Sequence, residues 1–273
     1  MKFGTFPVEL DTRDYSYNRT FGTTKPLFPD NYNVDIGKTM PDQNADGYFN
    51  GCTGYTQADN LGDELDSITK PPFTYEKTCF MEGHDTTQPC SIRTSLKSTR
   101  VYGVQMLHET TEQEAAQHKG GPYFNVYDDT NLDWFDDIRA AILKEGKGAS
   151  LGLPWFWPHV ASHGIMATPT LLELDMARYS PFDIPWHNVA CKGWKTIGGQ
   201  PYLILKPWRG PNYGDKGFIY MSRDLTNTLM KIRGSAAFIQ AHAKPEDIRT
   251  LKLDILETIL VYLNRILGLT RLN

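Results

Sequence analysis

The sequence predicts an α+β protein in which helices come first along the chain and a meandering sheet follows. Three segments with helical apolar spacing lie in the first half, beginning beside Cys52, at Ser91 and at Asp133. After Gly146 the apolar period shortens to two, and β-prone runs alternate with glycine or proline, as strands joined by turns require. Helices and strands segregated in this way are typical of the α+β class.

The three predicted helices are marked by their ends and by their apolar sides. The first begins at or beside Cys52, and its first ten residues contain no proline. The second covers residues 91–102, and the third covers 133–145, where Gly146 ends it. Residues 71–90, between the first two helices, are predicted to be rich in loops. The apolar side of each helix is formed by Tyr55, Ala58 and Leu61; by Ile92, Leu96 and Val101; and by Trp134, Ile138, Ile142 and Leu143.

Four short runs after the third helix predict strands. Each is β-prone and is bounded by glycine or proline. They cover residues 149–153, 188–191, 202–205 and 218–220. Residues 1–50 differ, because they are rich in Asp, Asn, Pro, Gly and Tyr and have no lasting period. They predict an extended arm with little regular structure.

A last helix is predicted over residues 245–269. Pro245 suits its first position and Gly268 suits its end. Its apolar residues form two adjacent stripes, which is a wider face than docking onto one core usually needs. The helix therefore either packs wholly against its own domain or docks a partner, in a homo-oligomer or a larger assembly.

Composition and charge exclude several classes of protein. Hydrophobic residues make up 40% and charged residues 22%, which excludes a disordered or fibrous chain. The net charge is -4 and no long basic run occurs, so we expect no nucleic-acid partner. No apolar stretch is long enough to span a membrane, and residues 1–14 carry acids where a signal peptide needs an apolar core. We expect a soluble, cytoplasmic or virion-associated protein with reduced cysteines and no membrane partner.

One cysteine has the setting of a nucleophile. At the start of a helix, unpaired amide groups and the positive end of the helix dipole stabilise a thiolate at Cys52, and Gly51 leaves the sulfur approachable. Considered alone, Cys52 is more simply explained as a buried, inert thiol. A catalytic role needs a histidine from elsewhere in the chain.

His187 is the best histidine candidate. Of the seven histidines it alone directly precedes an apolar β run, Asn188 to Cys191, and it follows Cys52 by 135 residues. A strand edge can hold an imidazole ring rigidly while the ring faces a cleft, which is what a general base requires.

Several separate blocks of the sequence resemble the papain-like cysteine peptidases. His187 to Ala190, followed by Gly193-Trp194, is similar to the histidine strand of that family, and the spacing from the cysteine is typical of it. The similarity covers roughly residues 27–222 and looks most like bacterial or bacteriophage-type members. Three blocks precede the histidine strand: residues 27–35 resemble the mature N-terminus, residues 40–43 resemble the segment of the oxyanion-hole glutamine, and residues 51–55 resemble the start of the nucleophile helix. Two blocks follow it, at 205–210 and 213–218, and they resemble the stretch around the orienting asparagine.

The resemblance implies a two-lobed fold, with an N-terminal helical lobe and a C-terminal antiparallel sheet or barrel lobe. It implies peptide-bond hydrolysis by a Cys52-His187 dyad, with the Gln43 side chain and the Cys52 amide holding the oxyanion. The substrate is then a protein or peptide, and neither a metal nor an organic cofactor is needed. The implied division of the chain is an arm at 1–26, a peptidase domain at 27–222 and a helical extension at 223–273.

The sequence departs from the family pattern at four places. Phe49 and Thr53 stand where the family has a cysteine and an aromatic residue, and Gln43 lies nine residues before Cys52, which is further than usual. The position of the orienting asparagine aligns with Pro207, whose side chain can neither donate nor accept a hydrogen bond. We therefore expect a backbone carbonyl or water to hold the His187 ring.

Three alternatives stay open at this stage. Pro207 and the helix at 245–269 favour a structural or assembly protein with weak or no catalysis, for example a virion component. A Cys-His pair also serves acyl transfer as well as hydrolysis. Cys79 and Cys90 bracket His84, but with no evident fourth ligand a disulfide or two free thiols are preferred over zinc.

Overall fold

The computed structural model describes residues 5–8, 16–17, 26–35, 37, 41–126, 133–156, 163–181 and 183–240. Over these residues the predicted α+β class is confirmed. Seven helices are described: α1 (Cys52–Glu64), α2 (Pro71–Glu82), α3 (Ile92–Tyr102), α4 (Glu112–Ala115), α5 (Trp134–Glu145), α6 (Leu171–Tyr179) and α7 (Arg223–Met230). Seven strands are described: β1 (Tyr32–Asn33), β2 (Tyr123–Asn125), β3 (Ala149–Pro154), β4 (Trp186–Ile197), β5 (Gln200–Lys206), β6 (Ile219–Ser222) and β7 (Ala236–Gln240).

Helix α1 is the central helix and is buried over most of its length. It packs on α2 and α3 on one side and on β3 and β4 on the other. At Gly54 the approach to α2 is so close that a Cβ atom would lie 2.5 Å from the Cα of Tyr75. On the sheet side Thr56 donates to the carbonyl of Asn188 at 3.2 Å and Gln57 donates to the hydroxyl of Ser150 at 2.8 Å. Polar contacts therefore fix the start of this helix against the strands.

The prediction that residues 71–90 are rich in loops is wrong for the first part of this segment, because α2 occupies Pro71–Glu82. The two prolines at its start suggested a loop, but proline is compatible with the first turn of a helix, where its missing N–H has no partner to lose. Gly83, with a φ of 76°, ends the helix in the left-handed conformation. Tyr75 and Cys79 on the buried side anchor it.

The sheet is antiparallel throughout, in the order β2-β7-β3-β4-β5-β6, with β1 paired to β4. The four predicted strands are present, and β4 is longer than predicted. It continues through an irregularity at Cys191 and Gly193. Gly193, with a φ of 146°, lets β1 approach, since a Cβ there would lie 2.0 Å from the Tyr32 carbonyl oxygen.

Besides α2, five elements were not predicted. They are the helices α4 and α6 and the strands β1, β2 and β7. Strand β7 pairs with both β2 and β3, so the sheet extends beyond residue 222, where a purely helical extension was predicted to begin. The domain boundaries themselves remain predictions. The predicted helix at 245–269, on which an assembly role partly depended, lies outside the described residues.

Two buried lysines tie α1 to the sheet. Lys192 on β4 forms ion pairs with Asp59 and Asp63 of α1. Lys206, at the end of β5, lies 2.8 Å from Asp59 and 3.0 Å from Asp35. Desolvated charges are tolerated in such positions only when they are paired, so this network fixes the register of α1 against β4 and β5.

None of the described helices combines the length and the apolar character needed to cross a membrane.

Candidate active site

Cys52 is the first residue of α1, as predicted, and its side chain is fully buried. The backbone N–H of Asn188 on β4 donates to its Sγ at 3.3 Å. Gly51 allows the tight approach to the helix, because a Cβ there would lie 3.0 Å from the carbonyl oxygen of Tyr48 and from the ring of Tyr55. The sulfur therefore sits between the N-terminus of α1 and the backbone of the central strand.

Burial dominates the protonation of this thiol. It raises the pKa of Cys52 to about 12, against the opposing effects of the Asn188 and Thr53 amides and of the nearby Arg209 cation. The helix N-terminus stabilises a thiolate, but removal from water outweighs it here. The thiolate predicted at Cys52 is therefore not the favoured form in this closed arrangement.

His187 lies on β4 opposite Leu153 of β3, and its ring is fully buried. The ring packs edge-on against Trp155, with centroids 5.2 Å apart. Its Nε2 lies 2.9 Å from the carbonyl oxygen of Pro207. A carbonyl can only accept, so Nε2 carries the proton and Nδ1 carries the lone pair of the neutral ring.

The protonation state of His187 also follows from burial. Removal from water, together with the nearby Arg209 cation, lowers the pKa of His187 to about 3, while the hydrogen bond to Pro207 acts in the opposite direction. At neutral pH the ring is therefore neutral. The Cys52 thiol is uncharged as well.

The strand that carries His187 also contacts the Cys52 sulfur. The contact is made by the backbone N–H of Asn188, which directly follows the histidine and donates to the thiol sulfur. The Cys52-His187 dyad, whose members are 135 positions apart in the sequence, stays a prediction.

Gln43 lies in the loop that precedes α1, and its side chain is fully buried. Its Nε2 donates to the carbonyl of Phe49 at 3.0 Å, and its backbone N–H donates to the carbonyl of Trp208 at 3.1 Å. The Oε1 atom makes no hydrogen bond with the described residues. The bond to Phe49 uses one of the two Nε2 hydrogens, which leaves the amide group chemically able to donate once more.

The Pro207 carbonyl is held in place by its neighbours. Trp208 has a left-handed φ of 61° and is fully buried, and its indole N–H donates to Thr56 at 2.9 Å. Lys206 on the other side is fixed by the ion network that it shares with Asp59. A non-glycine residue with positive φ costs free energy and persists only where its surroundings hold it. This chain thus supplies the expected backbone partner of His187.

Arg209 is a residue of the site to which the sequence assigned no role. Its backbone pairs with Asp42, next to Gln43, and its half-buried guanidinium influences both Cys52 and His187. Burial lowers the pKa of Arg209, while Asp42 opposes this shift. The only available signal was its position in the block at 205–210, which does not identify a charge near the sulfur.

The described part of the arm, residues 5–8, runs between the helices and the sheet. Thr5 pairs in parallel with Cys90, and its hydroxyl donates to the Cys90 carbonyl at 3.0 Å. Val8 donates to the carbonyl of Gly234 at 2.8 Å and packs beside Ile92. A Cβ at Gly152, which pairs with Asn188 on β4, would lie 3.9 Å from Val8. The arm therefore passes beside β3, the neighbour of the strand that carries His187.

Two groups among the described residues have metal-ligand geometry. Asp35, Asp59 and Asp63 are one group, but each of them already forms an ion pair with Lys192 or Lys206. The other group is Cys79, His84 and Cys90, and both of these cysteines are free thiols.

No protein family model matches this sequence, and no curated protein matches it. Solved structures do. The chain is similar to xylellain, a cysteine protease from Xylella fastidiosa, with a TM-score of 0.64, 17% identity, and coverage of 89% of this chain and 96% of that one. The chain has the papain-like fold.

Other solved structures with this fold agree. Procathepsin L 3 from the Tenebrio molitor larval midgut matches with a TM-score of 0.59 and 15% identity, over 84% of this chain and 76% of that one. The bromelain protease from Ananas comosus matches with a TM-score of 0.55 and 12% identity, over 78% of this chain and 99% of that one. These likenesses show the fold of the chain.

Proposed function

We propose that the protein is a cysteine peptidase in which Cys52 is the nucleophile and His187 is the acid and base. The observation that supports this most is the position of the Cys52 sulfur, at the N-terminus of α1 and against the amide of Asn188. Nε2 of His187 donates to the Pro207 carbonyl, which holds the ring in place. A nucleophile beside a base that a third group orients is the general arrangement for covalent catalysis.

The protonation states of Cys52 and His187 fix the direction of each proton transfer in the proposed reaction. Because Nε2 is protonated, Nδ1 takes the thiol proton, and the Cys52 thiolate attacks the carbonyl carbon of a peptide bond. The C–N bond then breaks as the Nδ1 proton passes to the leaving amine, which leaves a thioester on Cys52. Water attacks the thioester with Nδ1 as base, releasing the acid and restoring the thiol.

Gln43 is proposed to stabilise the oxyanion together with the backbone amide of Cys52. The Gln43 side chain is held rigid by its bond to the Phe49 carbonyl, as a preorganised donor must be. Loss of one such donor costs about a hundredfold to a thousandfold in kcat. The proposed chemistry uses only these side chains, water and a protein or peptide substrate.

The structure corresponds to a resting form in this proposal. Both reacting groups are buried and uncharged, so a substrate can reach them only after the groove opens and water or substrate enters. The arm at residues 5–8, which contacts Cys90 and Gly234, is proposed to move aside first.

Labelling with an epoxide or vinyl sulfone probe tests this function. The full-length protein should be labelled at Cys52, as located by peptide mass spectrometry, and should cleave a denatured protein substrate. Cys52→Ser should abolish both signals. Cys191→Ser is the matched control, since Cys191 is another fully buried thiol, on the same strand as His187, and it should leave both signals unchanged.

A second measurement separates a catalytic pair from an isolated thiol. Alkylation of Cys52 should be faster below pH 8 in the wild type than in His187→Ala, because only the wild type has the base. Equal and slow alkylation in both proteins, with no cleavage of the substrate, would contradict the proposed peptidase. Incorporation of an amine in place of water would instead identify acyl transfer.

A further inference from the structure

A second cluster of reactive side chains lies at the C-terminal end of α2, and the proposed peptidase chemistry does not use it. Cys79 is in the last turn of this helix, Gly83 turns the chain in the left-handed conformation, and Cys90 directly precedes the cap of α3. His84 lies in the turn between them. One ligand atom from each of Cys79, His84 and Cys90 lies within 4.8 Å of the other two.

The distances within this cluster suit a zinc ion. The two sulfurs are 3.3 Å apart, and the Cys90 sulfur lies 3.9 Å from Nε2 of His84. Two thiolates on one tetrahedral Zn²⁺ ion lie about 3.8 Å apart, and a thiolate and an imidazole nitrogen lie about 3.6 Å apart, given the usual bond lengths. The observed separations lie within about 0.5 Å of these values.

The tautomer of His84 is fixed in the form that binds a metal. Its Nδ1 lies 2.8 Å from the carbonyl oxygen of Asp85, which can only accept, so Nδ1 carries the proton. In the neutral ring Nε2 then carries the lone pair, and this nitrogen lies 3.9 Å from the Cys90 sulfur. Metal-ligating histidines have this second-shell arrangement almost always, because it orients the ring and raises its basicity.

The carboxylate of Glu82 lies beside the histidine. Its Oε2 lies 3.1 Å from Nε2 of His84, and its Oε1 accepts from the backbone N–H of Ser91 at 3.0 Å. A lone pair and a carboxylate oxygen this close need a positive charge between them, either a proton on Nε2 or a metal ion that both atoms bind. On a tetrahedral zinc ion these two atoms lie about 3.3 Å apart.

The loop is built to hold this geometry. Tyr75, on the buried side of α2, donates its hydroxyl to the carbonyl of Gln88 at 2.6 Å. Asp85 accepts from the backbone N–H of Thr87 at 2.9 Å. The thiols are shielded from water, since Cys79 is 2% exposed and Cys90 is 0% exposed. A structural zinc site has this closed character.

We propose that Cys79, His84 and Cys90, with Glu82 as the fourth ligand, bind one Zn²⁺ ion. Binding replaces the two thiol protons, which pass to solvent, and no oxidant or reductant is involved. The ion fastens the loop between α2 and α3. Because the Cys90 carbonyl accepts from Thr5 of the arm, zinc also fixes one wall against which the arm rests.

Zinc titration of the reduced, full-length protein tests the site. We expect one Zn²⁺ per chain in competition with a chromophoric chelator, and a higher melting temperature with zinc than without it. Cys79→Ser, Cys90→Ser and His84→Ala should each lose this stoichiometric uptake and the thermal shift. Co²⁺ used in place of zinc should give thiolate-to-metal absorption that is absent from the same variants.

Cys191→Ser is the matched control for a buried thiol and should bind zinc as the wild type does. His84→Ala covers the case in which a cysteine variant fails to fold, because the His84 side chain, at 14% exposed, is less buried than either thiol. The proposal is overturned if the reduced wild type takes up no zinc, or if Cys79→Ser and His84→Ala both keep it. A Cys79–Cys90 disulfide in the isolated protein, with no zinc uptake after reduction, overturns it as well.

Discussion

The carbonyl oxygen of Pro207 lies 2.9 Å from Nε2 of His187 and so takes the place of an orienting side chain. A backbone carbonyl oxygen fixes the tautomer of the ring as well as the oxygen of a side-chain amide does, because either oxygen can only accept a hydrogen bond. It differs in that no substitution of residue 207 removes it. The proline that argued against catalysis in the sequence is therefore compatible with an oriented histidine.

Pro207→Ala should leave the proposed peptidase activity within about threefold of the wild type, because the carbonyl of residue 207 remains. Removal of an orienting side chain from a catalytic triad can cost about ten-thousandfold in kcat. The measurement is kcat/KM with a fluorogenic peptide, with His187→Ala as the inactive reference. A loss in Pro207→Ala as large as that in His187→Ala would show that the pyrrolidine ring itself positions the histidine.

The buried, neutral His187 ring makes the free energy of unfolding depend on pH. Burial lowers the pKa of His187 to about 3, below the value of about 6.5 in an unfolded chain, so the unfolded state binds the proton more tightly. Its contribution to stability is complete above about pH 6.5 and is lost as the pH falls toward 3. The loss has a slope of up to about 1.4 kcal/mol per pH unit.

Denaturant unfolding at about pH 7, 5.5 and 4.5 measures this linkage. His187→Gln lacks the titrating ring, so the free energy of unfolding should fall less steeply with acid in the variant than in the wild type. His163→Gln replaces an exposed ring and is the control, with the slope of the wild type. Parallel curves for wild type and His187→Gln would show that the ring is accessible to protons in the folded protein.

The arm should limit access to Cys52. Val8 packs with the apolar cluster that contains Ile92 and Phe238, so Val8→Asp would bury a carboxylate there and release the arm. We expect epoxide labelling of Cys52 to become at least about tenfold faster, which corresponds to about 1.4 kcal/mol. Phe6→Asp is the control, because Phe6 is 47% exposed on the same arm. Unchanged labelling in Val8→Asp would mean that other residues close the groove.

The sequence was sufficient for those parts of the site that depend on local signals. The start of α1 at Cys52 could be predicted because the apolar spacing and the preceding glycine are both local. The Pro207 carbonyl could not, because every residue has a backbone carbonyl and only the folded chain determines where it points. The burial that keeps Cys52 protonated likewise depends on packing from distant segments.

The errors in the fold have similar physical causes. Helix α2 was missed because Pro71 and Pro72 suggest a loop when their place in the first turn is unknown. Strand β7, Ala236–Gln240, is short and buried at every position, so it shows no alternation to mark it. Lys192 and Lys206 carry no local signal of burial, since their partners on α1 are about 130 to 150 residues away.

Removing one of the buried lysines should destabilise the protein strongly. Lys192→Met leaves Asp59 and Asp63 with less compensation in a fully buried site, and the loss of one partner from such a pair costs about 3 to 5 kcal/mol. The free energy of unfolding from denaturant titration measures this effect. Lys195→Met is the matched control on the same strand. Its side chain is 32% exposed and its ion pair with Asp215 is 3.7 Å long, so we expect a change below about 1 kcal/mol.

A second substitution distinguishes lost charge pairing from lost packing at this position. If the cost comes from an uncompensated carboxylate, Asp63→Leu added to Lys192→Met should recover part of the stability, because the double variant removes both charges. Asp63 is the appropriate partner, since Asp59 also pairs with Lys206, which helps to hold Pro207 beside His187. A double variant less stable than Lys192→Met alone would show that the side chains matter here through packing, and that charge compensation is not what fixes α1 to the sheet.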